Sequence, residues 1–304
     1  EDQRMRQEAL DGNRIINSNL QPRCVWDLYS NRVVPCWCMC TNIHDCQFMW
    51  CWPQPILHGW MDEKDRVNVW TPINRNEWPV PIPKDASLNL VCIEMLNLGL
   101  EYAWLDVLCL RQIGGQGEDM HAEEWKLDVP TIGAVYQTHH LSMVWYLNGL
   151  GWPLSLKEGD LDSNWSWFKH AWTLQEVGIY REIGGNTQDG PMHAKCKDGK
   201  YETELLTRFH EQLQAVYHIS KNHVFEALKI MQNRVLTNPV DKVAGLAFLL
   251  QSETIPAYYE SQSLEEAWTA LVNSADVRSR AQFFFLYPEP GNAGAKWRPS
   301  WGQL

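Results

Sequence analysis

The pattern of apolar and polar residues predicts strands that alternate with helices. Residues 55–60 form a short apolar segment, and the closely spaced prolines of the loop over residues 61–84 forbid a long helix there. Apolar residues then recur at helical spacing over residues 87–99, where Gly99 is expected to end the helix. Residues 102–110 are almost continuously apolar, which predicts a strand covered on both faces with Asp106 in its middle.

The alternation continues into a C-terminal third that is mostly helical. Beyond a Gly-rich loop, we expect a helical segment, a strand, a helix that Asn164 caps and that runs to residue 179, a weak strand, four further helices and a last short strand. In order, these elements cover residues 123–137, 142–147, 165–179, 193–196, 203–219, 222–236, 240–251, 263–275 and 282–287. The last of the four helices opens with a capping box at Ser263.

This order predicts an α/β protein with a mainly parallel sheet, helices on both faces and a helical C-terminal layer. Ligands of such sheets bind beyond the carboxyl ends of the strands. We divide the chain into a Cys- and Trp-rich N-terminal lead packed on the core (1–52), the α/β core (53–200) and a helical part of the same unit (201–304).

Composition narrows the function classes. With 45% apolar residues in 304, the chain can build a globular core, and no apolar run is long enough to span a membrane. The net charge of −11, without a long basic run, argues against a nucleic-acid partner. Nine cysteines in a chain of this length fit a reducing compartment, so we expect a cytoplasmic protein without a membrane partner.

Several local motifs offer chemistry but also have simpler explanations. Gly-rich turns at residues 114–117 and 184–187 lack the spacing of phosphate-binding loops and are interpreted as plain turns, and the pair His139-His140 as a solvated helix end. Six soft metal ligands cluster in the N-terminal lead, but they lack the C-x2-C spacing of zinc sites, and a buried strand carrying Cys would explain them equally. They are Cys36, Cys38, Cys40, His44, Cys46 and Cys51. We therefore predict no metal site.

The segment Trp172-Thr-Leu-Gln-Glu176 carries the strongest chemical signal. Its predicted helix is apolar over most of its circumference, so Gln175 and Glu176 would face a core or a cleft. A carboxylate in such a place is costly unless it is paired or functional. Two interpretations remain open from chemistry alone: Glu176 forms a structural ion pair, or it acts in a site. Asp106 poses the same question, together with His58 and Trp60 at the end of the first core strand.

These segments resemble the conserved blocks of the fungal heterokaryon-incompatibility (HET) domain. Residues 102–112, Tyr-Ala-Trp-Leu-Asp-Val-Leu-Cys-Leu-Arg-Gln, resemble its Y-x-W-x-D-x-L-C-x-x-Q block, and residues 170–176 resemble its R-x-W-T-x-Q-E block. Residues 238–246 are similar to a P-x-D-K-V-x-x-L segment, residues 297–301 to an L-P-S-W ending, and residues 57–60 stand where the family has S-H-x-W. The chain departs from these blocks at Leu57, in place of Ser, and at His170, in place of Arg. The Pro-rich loop around Trp78 is similar to that of the basidiomycete branch.

The resemblance implies a fungal allorecognition or defence domain whose activation leads to cell death. HET domains are distantly similar to TIR domains, many of which cleave NAD at the nicotinamide–ribose bond with one Glu, so it implies a TIR- or flavodoxin-like core and an NAD glycohydrolase activity. By this analogy Glu176 is the catalytic residue and NAD is a substrate, with no bound cofactor. The aromatic walls would be Trp60, Trp104 and Trp172, and the further substrate-binding residues His58, Asp106 and Gln175.

Two other function classes stay open. In the first, the same blocks are core, and the protein is a non-enzymatic signalling module that self-associates or binds a sensor protein. Leu57 favours this class, whereas Trp172 and Glu176 favour the enzyme. A zinc-dependent binding protein built on residues 36–51 is the third.

Overall fold

A computed structural model describes residues 2–39, 52–136, 142–164, 166–174, 180–216, 224–236, 238–247, 250, 252 and 254–304. Over these residues the strands are β1 (Leu10–Asp11), β2 (Arg14–Ile15), β3 (Cys24–Asp27), β4 (Arg32–Pro35), β5 (Gln54–His58), β6 (Arg66–Val69), β7 (Val80–Pro83), β8 (Tyr102–Leu105), β9 (Met143–Tyr146), β10 (Arg181–Ile183) and β11 (Ile255–Pro256). The helices of the same residues are α1 (Asp2–Ala9), α2 (Leu88–Asn97), α3 (Asp106–Cys109), α4 (His121–Asp128), α5 (Ile132–Tyr136), α6 (Glu204–Ala215), α7 (Val224–Gln232), α8 (Asp241–Ala244), α9 (Leu264–Ser274) and α10 (Val277–Leu286).

A six-stranded mixed sheet forms the centre of the protein, in the order β10-β9-β5-β8-β3-β4. The four strands β10, β9, β5 and β8 pair in parallel with one another, as the alternation of strands and helices predicted. The other two strands differ from that expectation. β3 and β4 form an antiparallel hairpin in the N-terminal lead, and β3 pairs antiparallel with β8, so the lead extends the sheet.

Asp106 lies at the end of a strand and not in its middle. The predicted strand over residues 102–110 ends at Leu105, and the chain turns into the four-residue helix α3, of which Asp106 is the first residue. The Asp106 carboxylate accepts a hydrogen bond from the backbone N–H of Val107 at 2.7 Å. Because acidic side chains satisfy the free N–H groups of a first helical turn, Asp106 favours the turn over a continued strand.

Other boundaries also differ from the sequence pattern. Residues 282–287, predicted as a strand, lie mostly in α10, whose first turn is capped by the Asp276 side chain. The predicted strand at 193–196 is absent from the described residues, which form a 3₁₀ turn at Pro191–His193. Residues 166–174 form two short 3₁₀ turns instead of the start of a long helix. The Pro-rich loop contains the β6–β7 hairpin.

The predicted helix ends were correct in two places. Ser87 precedes α2, and Gly99 follows it with a φ of 79°, a left-handed conformation that glycine adopts without a steric cost. Ser263 and Glu266 form the predicted capping box at the start of α9.

Contacts join the N-terminal lead and the helical layer to the sheet. Buried Asp128 on α4 accepts hydrogen bonds from Arg6 at 2.9 Å and from Arg23 at 2.9 Å. β2 pairs with both β1 and β11 in a small second sheet. The Trp145 and Trp167 rings stack at 4.5 Å inside the apolar core.

Among the helices described, none has the length and apolar character needed to cross a membrane.

Candidate functional site

His58 and Asp106 meet at the carboxyl edge of the central sheet. His58 is the last residue of β5, and Asp106 follows β8 directly. Since β5 and β8 are parallel neighbours, their ends lie side by side. The His58 Nε2 atom is 3.0 Å from Asp106 Oδ1. Two residues that are 48 positions apart in the sequence are thus brought into direct contact.

The surroundings of His58 favour its charged form. Its Nε2 atom faces the Asp106 carboxylate, and its Nδ1 atom lies 3.4 Å from the carbonyl oxygen of Gly59, so both ring nitrogens face acceptors. Burial by itself lowers the pKa of His58, but the charge of Asp106 and its hydrogen bond raise it, and the net pKa lies above the ordinary value for histidine. The half-buried Asp106 carboxylate therefore favours the protonated form of the buried His58 ring.

The Trp60 ring lies near both the His58 ring and the guanidinium of Arg66. The His58 and Trp60 ring centroids are 5.3 Å apart, and the Arg66 guanidinium carbon is 5.4 Å from the Trp60 ring. His170 Nε2 lies 3.1 Å from the Trp60 carbonyl oxygen, so His170 supplies a donor where the family pattern has Arg. We name His58, Trp60, Arg66, Asp106 and His170 the carboxyl-edge cluster.

The cluster lies at the ends of β5 and β8, next to the place where the strand order of the sheet reverses. From β5 the chain continues to β8 on one side, and later strands are added on the other side, as β9 and then β10. The reversal therefore lies between β5 and β9, where ligands of open α/β sheets bind. At this point the backbone N–H of Gly59 donates to the carbonyl of Tyr146, the last residue of β9, at 2.9 Å.

The helical C-terminal layer holds the turn that contains Trp172. The Trp172 side chain hydrogen-bonds to Asp241 on α8, and the Tyr258 hydroxyl donates to the same carboxylate at 2.7 Å. Arg234 donates to the His170 carbonyl at 2.6 Å and also contacts the Thr173 hydroxyl. The blocks at residues 170–176 and 238–246 are therefore in contact.

Burial dominates the electrostatics of Asp241. Desolvation raises the pKa of Asp241 to about 6, although the hydrogen bonds from Tyr258 and Trp172 act in the opposite direction. The charge of Glu260 adds to the rise. No feature of the sequence alone indicated this perturbed carboxylate, because its depth depends on contacts between distant helices.

Of the remaining predicted site residues, Trp104 lies away from the carboxyl-edge cluster. Trp104 is 1% exposed and packs edge-on against Tyr136 at 5.8 Å, so its ring lies in the core and does not line the edge of the sheet. Leu57 is equally buried, on β5. Gln175 and Glu176 lie outside the described residues.

The candidate metal ligands give no site in the part of the chain that the structure describes. Cys36 and Cys38 lie in a 3₁₀ turn, Cys36–Met39, rather than in a strand, and the other four members of the cluster fall outside the described residues, as does the pair His139-His140. Among the residues described, His, Cys, Asp and Glu form no group of three or more that could hold a metal ion.

Both Gly-rich loops have a packing explanation. A Cβ atom at Gly115 would come within 2.0 Å of the Glu77 carbonyl oxygen, and one at Gly185 within 2.1 Å of the Trp152 carbonyl oxygen. These approaches require glycine, which supports the interpretation as plain turns.

A cleft of about 690 Å³ opens beside the loops that follow β9 and β10. Residues 153–156, 187–191 and 202–206 contribute most of its lining. Sequence reasoning missed this cleft, and the glycines at 184 and 185 were its one local signal, since they let the loop after β10 approach the loop after β9.

Comparison with known protein families, with curated proteins and with solved structures gave no match. The resemblance to the HET domain therefore stays a prediction from the sequence blocks.

Proposed function

We propose that this chain is a HET-type signalling domain of fungal self/non-self recognition or defence, whose activity leads to cell death. We further propose that it hydrolyses NAD at the nicotinamide–ribose bond. The reaction consumes NAD and water and releases nicotinamide, ADP-ribose and a proton. The sequence blocks support the class of protein, and the contacts at the carboxyl edge support the location of the site.

One observation carries the proposal: sequence blocks far apart in the chain converge on one edge of the sheet. His58 and Trp60 contact Asp106 and His170 through the carboxyl-edge cluster. Trp172 follows His170 closely and is tied to Asp241 of a fourth block. A core needs only apolar contacts, whereas this convergence joins ionisable and aromatic groups at the position where α/β sheets bind ligands.

The strand order supports a TIR- or flavodoxin-like core. Numbered along the chain, the four parallel strands β5, β8, β9 and β10 lie in the order 2-1-3-4, which is the order of flavodoxin-like sheets. In this proposal the β3–β4 hairpin is an addition at the outer edge next to β8.

Cleavage of the nicotinamide–ribose bond needs little more than correct positioning. The leaving group is already cationic, so a single carboxylate that stabilises the oxocarbenium-like ribose and orients water provides the main electrostatic contribution. By resemblance this carboxylate is Glu176. Trp60 and Trp172 would hold the nicotinamide, and His58 and Asp106 would fix the loop that bears Trp60.

The proposal is tested by incubating the purified protein with NAD at low and high protein concentration and measuring nicotinamide release. We expect release by the wild type and a loss of at least about 100-fold in Glu176→Gln, which keeps the size of the side chain but removes its charge. Glu182→Gln, a change of an exposed carboxylate on β10, is the matched control and should retain activity. Equal release by the wild type and Glu176→Gln, or none by the wild type at either concentration, would reject hydrolysis at this site.

A non-enzymatic assembly module is the second candidate function, and exposed apolar residues on α10 favour it. Phe284, Phe285 and Leu286 are consecutive and 57%, 76% and 65% exposed. Exposed apolar residues grouped in this way often mark protein contacts. Light scattering over a range of protein concentrations should then show self-association that Phe285→Glu abolishes. A monomer at every concentration would count against assembly through this helix.

A further inference from the structure

Arg66 brings an unused positive charge to the carboxyl-edge cluster. It opens β6 and pairs in register with Pro83 of β7, so the hairpin positions its backbone. Its guanidinium carbon lies 5.4 Å from the centre of the Trp60 ring, and the same ring contacts His58. None of the family blocks in the sequence contains Arg66.

Every other buried or half-buried arginine among the described residues donates to a carboxylate or a carbonyl. These arginines are Arg6, Arg23, Arg111, Arg181, Arg208, Arg234 and Arg298. Arg66 forms no ion pair with any described residue, and its Nε atom is buried without a hydrogen-bond acceptor. That atom is inaccessible, so it cannot contact a ligand. The terminal nitrogens of the guanidinium have no hydrogen-bond partner among the described residues and are not fully buried, so they are the donors that a ligand can reach.

The neighbouring charges favour an anion as that ligand. The carboxylate of the cluster, Asp106, contacts His58 at 3.0 Å and forms no ion pair with Arg66. The charge of Arg66 opposes protonation of His58, although the net pKa of His58 is raised. A guanidinium presents parallel N–H donors that match two phosphate oxygens, and an aromatic ring beside it can stack on a base or a nicotinamide ring.

We propose that Arg66 binds the diphosphate of a nucleoside diphosphate ligand at the carboxyl edge. Under the proposed function, on which this inference rests, that group is the diphosphate of NAD. Arg66 is then a binding residue that selects dinucleotides over nicotinamide ribosides, which lack the diphosphate.

Equilibrium binding to the full chain tests the assignment independently of catalysis. The probes are ADP-ribose, which contains the diphosphate, and nicotinamide riboside, which does not. We expect Arg66→Gln to weaken ADP-ribose binding by about tenfold or more and to leave nicotinamide riboside binding unchanged, because only the first probe uses the guanidinium. Arg280→Gln, a change of an exposed arginine on α10, is the control for net charge and should bind both probes as the wild type does.

A second variant separates charge from geometry and guards against a folding defect. Arg66→Lys keeps the positive charge but loses the paired donors, so we expect ADP-ribose affinity between those of the wild type and Arg66→Gln. Urea unfolding of each variant reports whether it is folded. Equal ADP-ribose affinity in the wild type and both variants, or equal weakening of both probes, would overturn the assignment.

The binding assay also distinguishes this inference from the proposed hydrolysis. If ADP-ribose binding depends on Arg66 while the wild type releases no nicotinamide, the diphosphate site stands and the hydrolysis is rejected. If nicotinamide is released but neither Arg66 variant changes ADP-ribose affinity, the hydrolysis stands and the role of Arg66 is rejected. Absence of ADP-ribose binding to the wild type overturns the diphosphate site.

Discussion

Asp241 should make the stability of the protein depend on pH in a way that one substitution removes. The carboxylate is enclosed by Tyr258 and Trp172, and burial raises its pKa from 3.8 to about 6, with Glu260 contributing in the same direction. Asp241→Asn keeps the shape of the side chain and one acceptor oxygen, but it cannot titrate.

The size of the effect follows from the two pKa values. One pH unit corresponds to about 1.4 kcal/mol, so a pKa of about 6 in the folded state against 3.8 in the unfolded state is worth about 3 kcal/mol. The folded state binds the proton more tightly, so this stabilisation is fully present below about pH 4 and is lost as the pH rises through about 6. When the pH is lowered from about 7.5 to about 5, this proton binding stabilises the folded state by roughly 1.4 kcal/mol.

Urea unfolding of the wild type and Asp241→Asn at about pH 5 and about pH 7.5 measures this effect. We expect the wild type to gain about 1.4 kcal/mol relative to the variant when the pH is lowered, whatever the difference between them at the higher pH. The exposed control Glu182→Gln should show no such change over this range. A difference between the wild type and Asp241→Asn that is the same at both pH values would refute the assignment of a raised pKa to Asp241.

Three other outcomes are expected from single changes. In Asp106→Asn the pKa of His58 should fall, because burial lowers this pKa and the negative charge that raises it has been removed. An NMR titration of the imidazole that shows an unchanged pKa would contradict the contribution of Asp106. Trp167→Ala should destabilise the fold by about 3–5 kcal/mol in urea unfolding, because the ring is buried and stacked; a loss below about 1 kcal/mol would mean that the stack contributes little. Gly185→Ala should lower the melting temperature by several degrees, as its φ of 69° and the close carbonyl leave no room for a Cβ atom, and an unchanged melting temperature would show that the loop adapts.

The parts of the fold that depend on local pattern were predictable. The helix over residues 88–97 and the capping box at Ser263 follow from spacing and capping chemistry that act within a few residues. The apolar strands β5 and β9 were likewise visible as short runs. Parallel alternation was predictable for the same reason, since it requires only the order of these elements.

The predictions of secondary structure were wrong where the local sequence pattern and the tertiary contacts favour different elements. The apolar run after Tyr102 reads as one strand, but Asp106 starts a helix within it, and burial of that helix explains the apolar residues. Residues 282–287 have the aromatic content of a strand, yet the cap at Asp276 and the packing of Phe283 keep them helical.

The candidate site was likewise predictable only in part. The sequence indicated His58 and Trp60 at the end of the first core strand and Asp106 as a polar residue within an apolar run, and the resemblance to the HET blocks gave them a role in substrate binding. Arg66 was not predictable because a sequence does not show which arginine lacks a hydrogen-bond partner. The raised pKa of Asp241 was not predictable because its burial and its contacts with Trp172 and Tyr258 depend on other segments of the chain.

The pairing of β2 with β11 has a consequence for biosynthesis. Ile15 pairs with Ile255, and the Tyr259 hydroxyl donates to Asn13 across a separation of 246 residues. Because a ribosome releases the N-terminal segment first, β1 and β2 must wait for most of the chain before their partner strand emerges. Folding of this part of the protein during translation can therefore finish only after β11 has left the ribosome, and a ribosome-bound chain truncated before β11 should expose β1 and β2 to chaperones and proteases.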